Sequence, residues 1–159
     1  MKMKIILLVA IVLILAVIFT VITHQRQGDD ILMELVYWSG TRGERGSPIY
    51  YFVVKNDGTF ISYHGLSRSN SSHPRTRNFI RSVREREQIT LDDEDFLYIT
   101  ELVNRIVSGT YEKTVSANSI ITFLHNGKIY ENSTGWTDPL ADLISTLIEL
   151  TPLTVHNLD

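Results

Sequence analysis

The sequence predicts an α+β fold, in which an N-terminal transmembrane helix precedes one domain with an antiparallel sheet and two helices packed on one face. Three observations support this prediction. An apolar run opens the chain, two strand–turn–strand patterns carry favourable turn residues, and two segments repeat apolar residues at helical spacing. The chain has 159 residues and no cysteine, so disulfides and thiolate metal sites are excluded.

The apolar run begins at Ile5 and ends at Ile22, and Thr20 is its sole polar side chain. As a helix, a run of this length spans roughly 27 Å, close to the ~30 Å hydrocarbon core of a bilayer. The run exceeds the apolar region of a signal peptide, and no small-residue cleavage pattern follows it. These features favour an uncleaved single-pass signal anchor, with cleavage as the open alternative.

Positive charge near the anchor predicts its orientation. Lys2 and Lys4 precede the run, and such residues favour the cytoplasmic side. We therefore expect a cytoplasmic N-terminus over residues 1–4, the anchor over 5–22, a stalk over 23–30 and an extracytoplasmic domain over 31–159. An exported domain of this size without cysteine is typical of a bacterial cell-membrane protein.

The first part of the domain predicts three strands. Residues 31–38 and 49–55 are rich in the aromatic and β-branched side chains that strands favour. The turn Asn56-Asp57-Gly58 then leads into a third strand over residues 59–64 and forms a hairpin. The aromatic residues of these strands alternate, which places one set in the core and the other set on the outer face. An exposed Tyr or Trp on the outer face would offer a binding platform, but the preferred interpretation is that the aromatic residues serve core packing alone.

The second hairpin is predicted over residues 119–132, where Asn126-Gly127 provides the strongest short-range hairpin signal. His125 lies at its turn, and His64 ends the third strand. We expect both imidazoles to face solvent. Their places at hairpin ends leave open that the two histidines come together. No His-x-x-x-His pair or calcium-loop spacing exists, however, so no metal site and no cofactor is predicted.

Two helices complete the predicted domain. Thr90 stands three residues before Asp93, which resembles a capping box, and apolar residues recur at helical spacing until Gly109 ends the first helix. The second helix begins with Asp138 as cap and ends before Pro152.

The segment over residues 66–88 concentrates positive charge, with six arginines, two glutamates and a net charge of +4, whereas residues 89–159 carry −8. Its first part indicates a long loop, and residues 79–90 are a candidate extra strand. The arginines are the candidate anion-binding residues, since their guanidinium groups match phosphate and carboxylate. They are Arg68, Arg75, Arg77, Arg81, Arg84 and Arg86.

A structural interpretation of the arginines is also open, and it is the preferred one. They would solvate an exposed strand and protect its edge against aggregation, or pair with the acidic start of the first helix over residues 92–95. Nucleic acid is not an expected partner, because the overall charge is −3 and no recognition module is present.

The layout resembles small, uncharacterised membrane-anchored proteins of Gram-positive bacteria. The resemblance rests on the anchor, the Asn-Asp-Gly hairpin, the helix over residues 91–109, the hairpin over 120–130 and the ending Leu150-Thr151-Pro152-Leu153. These motifs are structural, and the resemblance implies no activity.

No catalytic motif is present, so we expect a membrane-tethered, non-enzymatic extracytoplasmic domain that binds a protein or an anionic envelope component. Two alternatives stay open. One is an envelope hydrolase or transferase whose site is built from dispersed residues. The other is a subunit of a membrane complex in which the helix itself is the contact surface.

Overall fold

The computed structural model describes residues 30–39, 48–67, 80–109, 119–133 and 138–154, which contain six strands and two helices. All of these elements belong to one compact unit, Ile31–Asp159. In chain order they are β1 (Ile31–Ser39), β2 (Pro48–Lys55), β3 (Thr59–Ser67), β4 (Ile80–Thr90), α1 (Asp93–Ser108), β5 (Ser119–His125), β6 (Lys128–Ser133) and α2 (Asp138–Leu150).

The six strands form one antiparallel sheet in the order β4-β3-β2-β1-β5-β6. The first four strands are a meander in which each strand pairs with the next one along the chain. The second hairpin, β5 and β6, joins the sheet beside β1. The predicted α+β class is therefore confirmed, the candidate extra strand is present as β4, and β4 and β6 are the two edges of the described sheet.

Both helices pack on one face of the sheet, as predicted. The register places Leu35, Phe52 and Phe123 side by side on this face, and all three are fully buried. They form one apolar cluster with the buried side chains of the two helices, which recur every three or four residues along each helix. The buried helical side chains include Ile99, Leu102, Val103 and Ile106 of α1 and Leu140, Leu143, Ile144 and Leu147 of α2.

A buried polar contact joins the end of α2 to the sheet. The chain leaves α2 at Thr151, whose hydroxyl donates to Ser62 Oγ of β3 at 2.7 Å. Both residues are buried, and the Thr151 hydroxyl also accepts from the backbone N–H of Leu153 at 3.3 Å. Because each hydroxyl has a partner, this contact sets the position of the C-terminal segment without leaving an unsatisfied polar group.

Along β1, β2 and β3, the opposite face of the sheet is also closed to solvent. Trp38 is fully buried, and Tyr51 and Tyr63 are only 5% and 6% exposed. The expectation that one aromatic set would be exposed is therefore wrong for these residues, because this face carries a second apolar cluster. The cluster comprises Val36, Trp38, Ile49, Tyr51, Val53, Ile61, Tyr63 and Ile80.

Helix α1 begins one residue after its cap, Asp92, whose carboxylate accepts from the backbone N–H of Asp95 at 2.9 Å. The predicted capping box from Thr90 is thus wrong, because Thr90 is the last residue of β4 and Asp92 supplies the capping oxygen. The predicted end is confirmed, since Gly109 adopts φ 68° and its N–H bonds to Ile106 O.

Both predicted hairpin turns are confirmed by their backbone conformation. Gly58, Asn126 and Gly127 all have positive φ, which these residue types tolerate. Within the first turn, Asp57 accepts from the backbone N–H of Thr59 at 2.9 Å, and this hydrogen bond lowers the pKa of the Asp57 carboxyl.

The predicted anchor from Ile5 to Ile22 and the stalk lie outside the described residues. Within the described ranges, no helix is both long enough and apolar enough to cross a bilayer.

Truncation of Phe52 should destabilise the domain. Its ring is fully buried and contacts Tyr50 and Phe60 at centroid distances of 6.3 and 6.0 Å. We expect Phe52→Ala to lower the free energy of unfolding by about 3–5 kcal/mol in a urea titration, because it leaves a cavity between sheet and helices. The control Leu97→Ala removes a side chain that is 66% exposed and should stay within about 0.5 kcal/mol of wild type. Equal effects of the two changes would contradict the packing described here.

Candidate binding surface

Strand β4 is an edge of the described sheet and carries the described arginines of the candidate site. It has 11 residues, and the eight consecutive side chains from Arg81 to Gln88 are all exposed. Ile80 at its start is buried in the second apolar cluster. A long exposed edge is unusual, because its unpaired backbone groups can pair with another chain. β4 is therefore the described element best placed to bind a partner.

Two β-bulges interrupt the first half of β4. Opposite the step from His64 to Gly65, Arg84 is an extra residue between Glu85 and Val83. Opposite the step from Leu66 to Ser67, Arg81 is an extra residue in the same way. Bulges bend an edge strand and change the direction of its side chains.

Gly65 permits the close approach of β4 at the first bulge. A Cβ built on Gly65 would lie 2.3 Å from the carbonyl oxygen of Ser82 and 2.5 Å from Ile80 Cγ2. The first of these atoms belongs to the backbone and cannot turn away as a side chain does. A glycine at this position is thus required by the bulged pairing of β3 with β4.

The structure describes three of the six candidate arginines, and these three are not equivalent. Arg81 and Arg84 are the extra residues of the bulges and have no acidic partner within ion-pair distance in the described part of the chain. Arg86 is held in place: its Nε donates to Tyr63 Oη at 3.4 Å and its Nη2 to Gln88 Oε1 at 3.0 Å. Arg68, Arg75 and Arg77 lie outside the described residues.

A row of polar and aromatic side chains runs from Arg86 into the second apolar cluster. The Arg86 guanidinium lies 5.7 Å from the centroid of the Tyr63 ring, a cation–π distance. The Tyr63 and Tyr51 rings are 5.6 Å apart, and the Tyr51 hydroxyl donates to Glu34 Oε2. Arg86 is therefore anchored to the buried face, although its own side chain is exposed.

His64 is buried, contrary to the expectation of a solvent-facing side chain. Only 6% of it is exposed, and its ring stacks on Tyr50 with a centroid distance of 4.8 Å. Its Nδ1 lies 3.7 Å from Glu85 Oε1 of β4 and has no hydrogen-bond partner in the described part of the chain. The expectation failed because β3 continues to Ser67, so His64 lies within a paired strand instead of at its end.

His125 is half-buried rather than solvent-facing. Its Nδ1 lies 2.6 Å from Leu32 O. Strands β2 and β1 separate β3 from β5 in the sheet, so the hairpin ends do not bring the two histidines together.

The charges of β4 alternate between the two faces of the sheet in its regular half. The register pairs Glu85 with His64 and Glu87 with Ser62, on the helix-covered face, and pairs Arg86 with Tyr63, on the other face. The described strand thus carries three arginines and two glutamates, a weaker positive charge than the whole arginine-rich segment.

The alternative of internal pairing with the acidic helix start finds no support in the described ranges. There the ion pair within 4 Å joins His64 to Glu85, and none joins an arginine of β4 to residues 92–95. The carboxylate of Asp92 instead caps its own helix. Arg81 and Arg84 are therefore not held in place by the acidic residues at the start of α1.

Other described surfaces offer less chemistry. A shallow depression follows the outer side of α1 and is lined by Leu97, Tyr98, Glu101 and Arg105 among others. Across the ranges that the structure describes, no group of three or more His, Cys, Asp or Glu side chains is placed to hold a metal ion.

The comparisons with known proteins do not extend this description. No protein-family model, no curated protein and no solved structure matches the chain.

Sequence reasoning identified β4 and its charge but missed the bulges, because a strand pattern of period two does not show where pairing slips. Gly65 is the one local signal, since a glycine inside an apolar strand pattern often marks a bulge or a close backbone approach.

Substitution of Gly65 by alanine should disrupt the pairing of β3 with β4. Because the new methyl group would meet the Ser82 carbonyl, we expect Gly65→Ala to lower the free energy of unfolding by about 1–3 kcal/mol. The control Val83→Ala changes the 43% exposed partner of Gly65 and should cost about 0.5 kcal/mol or less. Urea titration checks both, and a neutral Gly65→Ala would refute the close approach.

Proposed function

We propose that this chain is a membrane-tethered, non-enzymatic domain in the extracytoplasmic space and that it binds a protein partner through the exposed edge of β4. The observation that carries the proposal is the run of eight exposed side chains along a long edge strand. Main-chain groups at such an edge provide affinity for another chain, and alternating side chains provide specificity.

The tether and orientation rest on the sequence. The apolar run from Ile5 to Ile22 has the length of a bilayer-spanning helix, and Lys2 and Lys4 favour a cytoplasmic N-terminus. The resemblance to small membrane-anchored proteins of Gram-positive bacteria supports the same location. The domain would then act at the outer surface of the cell membrane.

A protein partner fits β4 better than a uniformly anionic polymer does. Glu85 and Glu87 interrupt the positive charge, so a polyanion that follows the strand would meet two carboxylates. Like charges at short distance oppose binding and disfavour the wrong partner. A protein chain can instead place both signs of charge against this strand.

An anionic envelope component is the second candidate. It is favoured by Arg81 and Arg84, which are exposed at the bulges and have no acidic partner in the described part of the chain. Guanidinium groups in this situation can bind phosphate or carboxylate through paired hydrogen bonds. This ligand class would use the bulged half of β4, including Arg81, while the protein partner would use its regular half.

The enzymatic alternative requires acid–base groups that converge in a pocket. The depression along α1 holds Glu101 and Arg105 on one exposed helix face, one turn apart. This spacing is that of an ordinary surface pair on a helix. The geometry of the described residues therefore favours binding over catalysis.

A photo-reactive amino acid at position 90, an exposed residue in the regular half of β4, should cross-link to a protein in intact cells. The same group at Ile129, an exposed residue of the opposite edge strand β6, is the matched control and should give no such adduct. If the ligand is instead an anionic polymer, position 90 gives no protein adduct, and replacement of Arg75, Arg77, Arg81 and Arg84 by Ser abolishes sedimentation with isolated envelopes. Equal adducts at both edges would overturn the assignment to β4.

The orientation is tested by protease treatment of intact cells that carry a C-terminal tag. We expect loss of the tag without lysis, because the domain would lie outside and remain attached to the membrane. A cytoplasmic protein serves as the control for cell integrity. Protection of the tag until lysis would reverse the orientation and would place the domain beside the inner leaflet.

A further inference from the structure

We propose that the partner adds to the sheet as a further strand along residues 85–90 of β4, with basic side chains opposite Glu85 and Glu87 and an acidic side chain opposite Arg86. This inference rests on the proposed function, and it specifies the conformation and charge pattern of the partner. It identifies the partner as an extended protein segment.

The regular half of β4 has the backbone geometry that strand addition needs. Residues 85–90 pair with residues 59–64 of β3 without a bulge. In an antiparallel pair, alternate backbone groups point away from the neighbouring strand, and on an edge strand these groups form a template for another chain. Among the strands that the structure describes, none lies beyond β4.

The two bulges limit the docking segment. A partner strand that follows β4 towards its start would reach Arg84, where the regular spacing of the backbone is lost. Six residues remain, which correspond to roughly 20 Å of extended chain. The other described edge is less suitable, because the pairing of β6 with β5 shifts between Phe123 and Leu124 and so interrupts the six residues of β6 in their middle.

The charge pattern specifies the partner. Glu85 and Glu87 lie on one face and Arg86 on the other, so a strand beside them faces negative, positive and negative charge in turn. Opposite charges on facing residues stabilise a strand pair, and like charges destabilise it. The complementary triplet is basic–acidic–basic, which is the same for a parallel and an antiparallel partner.

The same pattern opposes a symmetric pair of β4 strands from two copies of this chain. A two-fold axis perpendicular to the sheet and centred on Glu85, Arg86 or Glu87 places that residue opposite its own copy. A register centred on Gln88 avoids this opposition of like charges, but it places Glu87 opposite Ile89 and Arg86 opposite Thr90, so neither charge gains an oppositely charged partner. The charges thus favour a different chain over a second copy.

The Arg86 side chain is restricted by contacts within the domain, and its guanidinium lies over the Tyr63 ring of β3. Its contacts with Tyr63 and Gln88 restrict its side chain before any ligand binds. A side chain ordered in advance loses less conformational entropy on binding. Arg86 would therefore act as the fixed central charge of the docking edge.

The test uses the full chain in nanodiscs and two labelled peptides of equal composition. The complementary peptide is Thr-Val-Lys-Glu-Lys-Val-Thr, and the control Thr-Val-Lys-Lys-Glu-Val-Thr keeps its net charge but breaks the alternation. We expect fluorescence anisotropy to show about tenfold tighter binding of the complementary peptide. Amide hydrogen exchange should slow at residues 85–90 and stay unchanged in β6.

A charge-exchanged variant sharpens the test. The triple change Glu85→Lys, Arg86→Glu and Glu87→Lys should reverse the preference, so that Thr-Val-Glu-Lys-Glu-Val-Thr binds better than the original peptide. Circular dichroism checks that the variant is folded. If it is not, the two equal-composition peptides on the wild-type chain still decide the outcome.

The outcomes separate this inference from the proposed function. Equal binding of both peptides, or binding without slower exchange at residues 85–90, would overturn strand addition. A protein adduct from position 90 in that case would leave a protein-binding β4 in place. If neither peptide binds and no adduct forms, both strand addition and the proposed function are overturned. If sedimentation velocity shows self-association through β4, the partner is a second copy of this chain.

Discussion

The organisation of this domain depends on the burial of both faces of the sheet along β1, β2 and β3. Phe52 and Phe60 pack against the helices, while Trp38, Tyr51 and Tyr63 are buried on the opposite face. Most side chains of these three strands are buried and cannot contact a ligand. Recognition in the described part of the domain is therefore left mainly to the outer helix surfaces and to the sheet edges, of which β4 is the longer.

The polar row on the second face connects the core to that edge. Tyr63 and Tyr51 bury most of their rings yet keep hydroxyl partners, Arg86 at one end and Glu34 at the other. The Tyr63 hydroxyl accepts from Arg86, so Arg86 contributes a hydrogen bond to the largely buried Tyr63 as well as placing a charge on β4. The Arg86 side chain thus links the exposed edge strand to the buried face of the sheet.

Much of the fold could be predicted because its signals are local. Asn126-Gly127 and Gly58 specify their turns by positive φ, and the helices follow from apolar spacing. The order of the strands, the burial of His64 and the bulges at Arg81 and Arg84 could not be predicted, since each depends on pairing between distant residues. The cap of α1 was misassigned for a related reason: Thr90 and Asp92 are both competent capping residues, and the end of β4 decides between them.

Charge on an edge strand is usually explained as protection against aggregation, and β4 satisfies that explanation. Protection alone, however, is served by any charged residues, whereas here the signs are sorted by face and Arg86 is fixed by Tyr63 and Gln88. Sorted and ordered charges disfavour strands of the wrong pattern, including a second copy in the registers that oppose like charges. Under the proposed strand addition, repulsion of the wrong partner and acceptance of the right one would both follow from the same alternation.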